Sequence, residues 1–169
     1  MQFELCGWTE GLAPSLAKNA NDARIVRYLN EGFPNPYTPE DARRFIAAAN
    51  SGKFLWNKAI VVDGGAVGCV SLSRGHGVLR TSAEIGYWLH PACWGRGIMT
   101  VAVGSACADV FGQTDIVRIQ AQVFSENLAS ARVLQKCGFV QEGVLRRSVC
   151  KEGRYYDLLL YGLLKEEVR

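Results

Sequence analysis

The stretch Trp94-Gly95-Arg96-Gly97-Ile98-Met99-Thr100 is where this chain could hold a charged ligand. It follows a strand-like run, Glu84-Ile85-Gly86-Tyr87-Trp88-Leu89, and opens a long apolar helix. Two glycines one residue apart at such a turn let the backbone approach a ligand closely, and a helix start offers unpaired N–H groups to an anion. The expected occupant is a phosphate-bearing cofactor. Two nucleotide readings fail: a dinucleotide fingerprint requires a third glycine where Thr100 stands, and a P-loop requires Lys-Ser/Thr where Ile98-Met99 stands.

What remains resembles the acyl-CoA cradle of the GNAT superfamily of N-acetyltransferases, Gln/Arg-x-x-Gly-x-Gly/Ala. Gly97 stands at its central glycine, Trp94 at the Gln/Arg position and Met99 at the final small position. The run Gly-x-Gly-Ile-Met is similar to the RimJ/RimL-like branch, which acetylates protein N-termini. Asn127-Leu128-Ala129-Ser130, leading to Lys136-Cys137-Gly138-Phe139, resembles the family's Asn-x-x-Ser helix with its Lys-x-Gly-Phe end. With Ile85-Gly86-Tyr87-Trp88-Leu89 ahead of it and Tyr155-Tyr156-Asp157 behind, the landmarks fall in family order over residues 84–164.

The resemblance implies an acetyl-CoA-dependent N-acetyltransferase working by direct attack in a ternary complex. Its acceptor would be a primary amine, with a protein or peptide N-terminus ahead of a small amine, amino sugar or antibiotic. A non-catalytic acyl-CoA sensor is the alternative outside enzymology. The chemistry needs a neutral amine, a held carbonyl, stabilisation of charge on its oxygen and a proton for the departing thiolate. An α-amine has a pKa of roughly 7.7 to 8.0 and a lysine about 10.4, so a base helps the first and is close to necessary for the second. Glu84 is the candidate base, or else a substrate contact, and Asp157 is the second candidate. Backbone N–H groups around Trp88 and Leu89 would hold the carbonyl on a strand that splays from its neighbour to pair with the pantetheine arm. The amides of Gly95, Arg96, Gly97, Ile98, Met99 and Thr100 would take the pyrophosphate.

Many superfamily members protonate the leaving thiolate with a tyrosine seven residues after the motif asparagine, a position held here by Leu134. Ser130 inherits the proposed contact with sulfur, and Asn127 both caps its helix and holds pantetheine. Cys93 and Cys137 raise the rival of a covalent acyl-cysteine, but no histidine is placed to activate either; His90 precedes a proline at a strand end and His76 sits in a Gly-rich loop. Phe33 and Tyr37, in a Pro-broken loop, read either as a wall of the acceptor pocket or as plugs over the core.

These groups must be carried by a scaffold whose elements the pattern predicts in turn. A strand over Phe3–Trp8 leads to a short helix through about Asn19, then a second over Ala23–Leu29. Thr38-Pro39-Glu40-Asp41 is a strong helix start, and that helix runs to Asn50. Strands follow over Phe54–Val62 and Ala66–Ser73 around Asp63-Gly64-Gly65, then over Ser82–His90. The helix after Gly97 is apolar on most faces and is expected to be buried against a sheet. A half-buried strand over Ile116–Phe124, a helix over Asn127–Cys137, and a hairpin of Phe139–Val149 with Tyr155–Leu164 close the chain. The class is α/β or α+β, a GNAT fold with one mostly antiparallel mixed sheet of about six or seven strands flanked by helices, splayed centrally, in a single domain over residues 1–169.

Composition sets the outer limits. With 49% hydrophobic and 21% charged residues the chain has the make-up of a soluble globular protein. A net charge of +3 without a run of Lys/Arg gives no reason to expect nucleic acid. No apolar run reaches membrane-span length, and the N-terminus lacks a secretory pattern, so a cytoplasmic protein is expected, monomer or homodimer. Six cysteines without a Cys-x-x-Cys spacing, beside two histidines, read as reduced core thiols, and no metal is expected.

Overall fold

The computed structural model describes residues 2–168. Seven strands form one sheet: β1 (Glu4–Cys6), β2 (Trp56–Val62), β3 (Gly65–Arg74), β4 (Ser82–Leu89), β5 (Arg118–Phe124), β6 (Val140–Lys151) and β7 (Arg154–Leu164). Their order is β1-β2-β3-β4-β5-β7-β6, antiparallel throughout except where β4 meets β5. The helices are α1 (Ala13–Ala20), α2 (Ala23–Val26), α3 (Pro39–Asn50), α4 (Ile98–Gln113) and α5 (Leu128–Lys136).

Two tight turns fix the outer registers. Asp63-Gly64 joins β2 to β3 with φ of 49° and 77°, and Glu152-Gly153 joins β6 to β7 with 52° and 75°. Both central residues being left-handed is the turn whose twist matches that of a hairpin, and a glycine in second place makes it accessible.

Each face of the sheet has its own core. On one, α1 and α3 cover β1 to β3 through Leu16, Ile46, Trp8 and Tyr37. On the other, α4 lies with Ile98, Val103, Cys107 and Val110 buried, and Ala102 and Ala106 fully so, which lets the helix axis approach the strands. Trp56 of β2 pins this helix by donating from Nε1 to Asp109 at 3.0 Å. Helix α3 begins with a full capping box: Asp41 N–H donates to Thr38 Oγ1 at 3.1 Å, and Thr38 N–H donates to the Asp41 carboxylate at 2.9 Å.

Several boundaries differ from the pattern-based expectation. The second helix ends at Val26 rather than Leu29, although turn bonds continue to Leu29 N–H on Val26 O. The final hairpin is longer, because β6 reaches Lys151 and β7 begins at Arg154, on either side of a two-residue turn. The first strand is confined to Glu4–Cys6, the three residues with partners on β2.

Candidate active site

Strands β4 and β5 run parallel and pair only at Ser82–Arg118, Ala83–Ile119 and Glu84–Gln120. Each is held elsewhere over its full length, β4 by β3 as far as Leu89 opposite Gly68, and β5 by β7 as far as Phe124 opposite Leu158. Gly68 permits the first of these approaches: a Cβ there would stand 2.4 Å from the carbonyl oxygen of Trp88. Beyond Glu84 the two strands part, and the gap opens into a cleft of about 1040 Å3.

One edge of that gap presents backbone donors. His90 N–H turns to β3 and donates to Val67 O at 2.7 Å. By the two-residue period of a strand, the N–H groups of Leu89 and Tyr87 point the other way, into the gap, while that of Trp88 points to β3. Leu89 is therefore placed as expected for holding a carbonyl, and the Trp88 amide is not. The Trp88 side chain does line the cleft, with its ring edge-on to Phe33 at 6.4 Å.

The Gly-rich turn closes over the end of β4. Trp94 Nε1 donates to Leu89 O at 2.7 Å and folds the loop back on the strand, which gives this departure from the family pattern a structural role. Gly95 and Gly97 are left-handed, with φ of 73° and 76°. Gly97 is the N-cap of α4 and offers no capping side chain, nor does the first turn carry an acid. The first backbone bond of the helix is Val101 N–H to Gly97 O, at 3.1 Å. The N–H groups of Ile98, Met99 and Thr100 lie before it without intrahelical partners, on residues that line the cleft beside Arg96. Arg132 and Lys136 of α5 line the same cleft and enter no salt bridge among the described residues. A helix N-terminus with three cations suits a polyphosphate.

Where the strands separate, the polar side chains gather. Glu84 is exposed, lines the cleft and has no salt-bridge partner among the described residues. Across the gap Asn127 caps α5, its Oδ1 accepting from Ser130 N–H at 3.2 Å, and both residues line the cleft. Ser130 Oγ lies 2.8 Å from the hydroxyl of Tyr87, which comes from β4. Burial pushes the Tyr87 phenol well above its ordinary pKa, against the smaller opposing effect of its bond with Ser130. Leu134 is fully buried in the core.

A family model described as an acetyltransferase (GNAT) domain matches residues 3–140. The chain belongs to the GNAT acetyltransferase family. Among its relatives in Bacillus subtilis are the probable N-acetyltransferase YjcK, 40% identical over 102 residues, and the putative ribosomal N-acetyltransferase YdaF, 33% identical over 108. These matches take in 60% and 64% of this chain and 56% and 58% of the relatives, so the chain spans little more than half of their length. The solved structure of Mycobacterium smegmatis RimJ in complex with CoA-disulfide superposes with a TM-score of 0.84 at 28% identity, covering 98% of this chain and 83% of that one. Acetyl-CoA is the cofactor of GNAT enzymes, and the uncapped helix start, the open strand edge and the cations of α5 fit its phosphates and its arm.

Three residues singled out in the sequence lie outside this GNAT cleft. Asp157 is next to Leu158, which lines it, and strand alternation sends the carboxylate elsewhere. Asp157 Oδ1 instead accepts from Arg147 N–H at 2.7 Å, holding the bulge where β6 carries extra residues between Leu145 and Val149. Phe33 and Tyr37 stack on each other at 5.0 Å, Tyr37 is buried, and both belong to the core beneath α1 and α3. The cleft away from the glycine turn is walled instead by Tyr28, Leu29, Asn30 and Glu31 after α2, and by Val149 and Lys151 of the last hairpin.

Lys151 had no signal in the sequence. It is buried, and its ammonium donates to the carbonyls of Val26 and Leu29, fastening the hairpin tip to the end of α2. Glu126, which also lines the cleft, pairs with Arg27 at 3.2 Å and with Arg154, tying the same two segments together. Cys150, exposed and lining the cleft, departs from the expectation of core thiols, whereas the two cysteines considered as nucleophiles are shielded. Cys93 is buried and Cys137 half-buried, burial raises the pKa of both, and Cys137 Sγ donates to Thr100 O at 3.3 Å. His90 accepts from Ala92 N–H at Nδ1, 3.3 Å away, a role within its own turn. No group of three or more metal-ligating side chains converges among the described residues, and no helix is long and apolar enough to cross a membrane.

Proposed function

We propose that this protein is an acetyl-CoA-dependent N-acetyltransferase whose acceptor is a protein or peptide N-terminal α-amine, attacking directly in a ternary complex. The observation that carries the reading is the parting of β4 and β5 beyond Glu84, because it joins in one cleft a phosphate-binding helix start, an open strand edge, an unpaired carboxylate and a hydroxyl. The amides of Ile98, Met99 and Thr100 bind the pyrophosphate, supported by Gly95, Arg96 and Gly97, which shape the turn. The N–H of Leu89 donates to the carbonyl oxygen and gains strength as charge develops there. Asn127 steadies the arm through the amide nitrogen that its capping role leaves free. Glu84 takes the proton of the attacking amine, directly or through water, and Ser130 donates to the sulfur as the C–S bond breaks.

An α-amine is favoured because a carboxylate without a salt-bridge partner among the described residues suffices to deprotonate a group of pKa about 8, whereas a lysine ammonium lies some two units higher. The similarity to the putative ribosomal N-acetyltransferase YdaF points the same way. The test is release of CoA thiol from acetyl-CoA in the presence of peptides with free N-termini, the same peptides N-terminally blocked but containing lysine, polyamines and aminoglycosides. Turnover confined to free N-termini is expected. Turnover with polyamines or aminoglycosides alone would move the acceptor to the small amines, and protected acetyl-CoA with every acceptor would favour a sensor.

A further inference from the structure

Tyr87 enters the reaction site from β4, yet no step assigned so far uses it. Its hydroxyl has two acceptors on Ser130, the nearer Oγ at 2.8 Å, where either oxygen can donate, and the carbonyl oxygen at 3.2 Å, where only Tyr87 can; both residues line the cleft. Ser130 has one hydroxyl proton. If that proton is spent on Tyr87, nothing remains for the cleft; if Tyr87 donates to Ser130 Oγ, the serine proton is free for a third atom.

We infer that Tyr87 is a positioning residue: its O–H donates to Ser130 Oγ, turns the serine proton into the cleft and makes Ser130 the donor that receives the departing sulfur. The inference rests on the leaving-group role of Ser130 given above. Donating into a hydroxyl also strengthens that hydroxyl as a donor, since hydrogen bonds in a chain polarise one another. Neither proton is transferred to sulfur. The electron pair of the C–S bond goes to sulfur, the amine proton goes to Glu84 or water, and the thiolate is neutralised afterwards from solvent. The half-buried phenol, its pKa raised by desolvation, keeps its proton wherever a thiol of pKa about 8.5 loses its own, so it serves as a donor at every working pH.

The alternative is that Tyr87 only buttresses α5, and this would leave the acidity of a bound thiol untouched. The experiment is therefore an ultraviolet titration of the thiolate of CoA bound to the whole protein, for the wild type, Tyr87→Phe, Ser130→Ala and the double variant. Loss of one net hydrogen bond predicts an acid dissociation constant about tenfold smaller in Tyr87→Phe, with CoA affinity at neutral pH within twofold. Ser130→Ala should lower it at least as much, and adding Tyr87→Phe to Ser130→Ala should change nothing further. An unchanged thiol in Tyr87→Phe overturns the inference, as does an equal loss from Tyr87→Phe in the Ser130→Ala background. An unchanged thiol in Ser130→Ala removes the leaving-group role itself, and the inference falls with it. Loss in Ser130→Ala alone removes Tyr87 while leaving Ser130 in place.

Discussion

The two ends of the cleft are built from different materials. The end proposed for the phosphates is shaped by backbone, with two left-handed glycines, the uncapped amides that follow them and a strand edge that has lost its neighbour, and the cations Arg96, Arg132 and Lys136 stand around it. The acceptor end is side chains from segments far apart in the sequence, with Tyr28 to Glu31 on one side and Val149 to Lys151 on the other. Backbone recognition demands particular conformations and so leaves a motif in the sequence. Side-chain recognition demands only that two surfaces meet, and it can be rewritten without disturbing the first. A fold arranged in this way can keep its donor while changing its acceptor.

That contrast is tested most severely at Glu84, which stands where the two ends meet. If it is the base, Glu84→Gln should lower kcat/KM for a peptide N-terminus at pH 7 by about a hundredfold. The deficit should shrink as the pH rises past the amine's own pKa, because the acceptor then arrives neutral. A raised acceptor KM with kcat and the pH profile unchanged would make Glu84 part of the acceptor wall instead. At the phosphate end, Gly97→Ala should raise the KM for acetyl-CoA about tenfold while leaving that for the acceptor alone. A side chain in the left-handed region costs about 1–2 kcal/mol, and 1.4 kcal/mol is one decade in an equilibrium. Nothing lies within 4 Å of the added Cβ, so the penalty is conformational and does not come from a clash. An unchanged KM would mean that the turn does not touch the phosphates.

The same contrast explains what could be read before the structure was known. Thr38-Pro39-Glu40-Asp41 announces the start of α3 because every participant in its capping box lies within four residues. The cradle and the α5 cap were legible for the same reason, each being a local backbone requirement met by local residue types. The end of α2 was not. The carbonyls of Val26 and Leu29 are taken by Lys151, in the first case across a sequence separation of 125 residues, and no periodicity near residue 26 carries that information. Asp157 is hard to read for a related reason: the next residue, Leu158, lines the cleft, and only the alternation of β7 turns the carboxylate away from it. Phe33 and Tyr37 were open between wall and plug because an aromatic in a broken loop is equally suited to either until its neighbours are known.

A smaller effect is expected at Lys151. Replacing it with methionine keeps most of the buried stem and removes the donors that close the hairpin on α2. Bonds from a charged donor contribute about 1.5–3 kcal/mol each, so a fall in Tm is expected along with an acceptor KM raised about threefold. The KM for acetyl-CoA should hold, since none of the phosphate-binding amides depends on the hairpin. Equal changes in both constants would show that the two ends are mechanically one.

The smallest kinetic effect is expected at Phe33, and it sharpens the contrast by its smallness. The ring stacks on Tyr37 and meets Trp88 edge-on, so Phe33→Leu removes two aromatic contacts from the core beneath α1 and α3. Such pairs are worth about 0.5–1.5 kcal/mol, which for a domain of this size lowers Tm by roughly 2–4 °C per kcal/mol. If Phe33 is a plug, thermal unfolding should register the change while acceptor preference across the peptide panel stays within twofold. A changed order of preference among those peptides would return Phe33 to the acceptor wall. It would also show that Trp88 transmits packing beneath α1 and α3 to the cleft, because its ring touches both that core and the site.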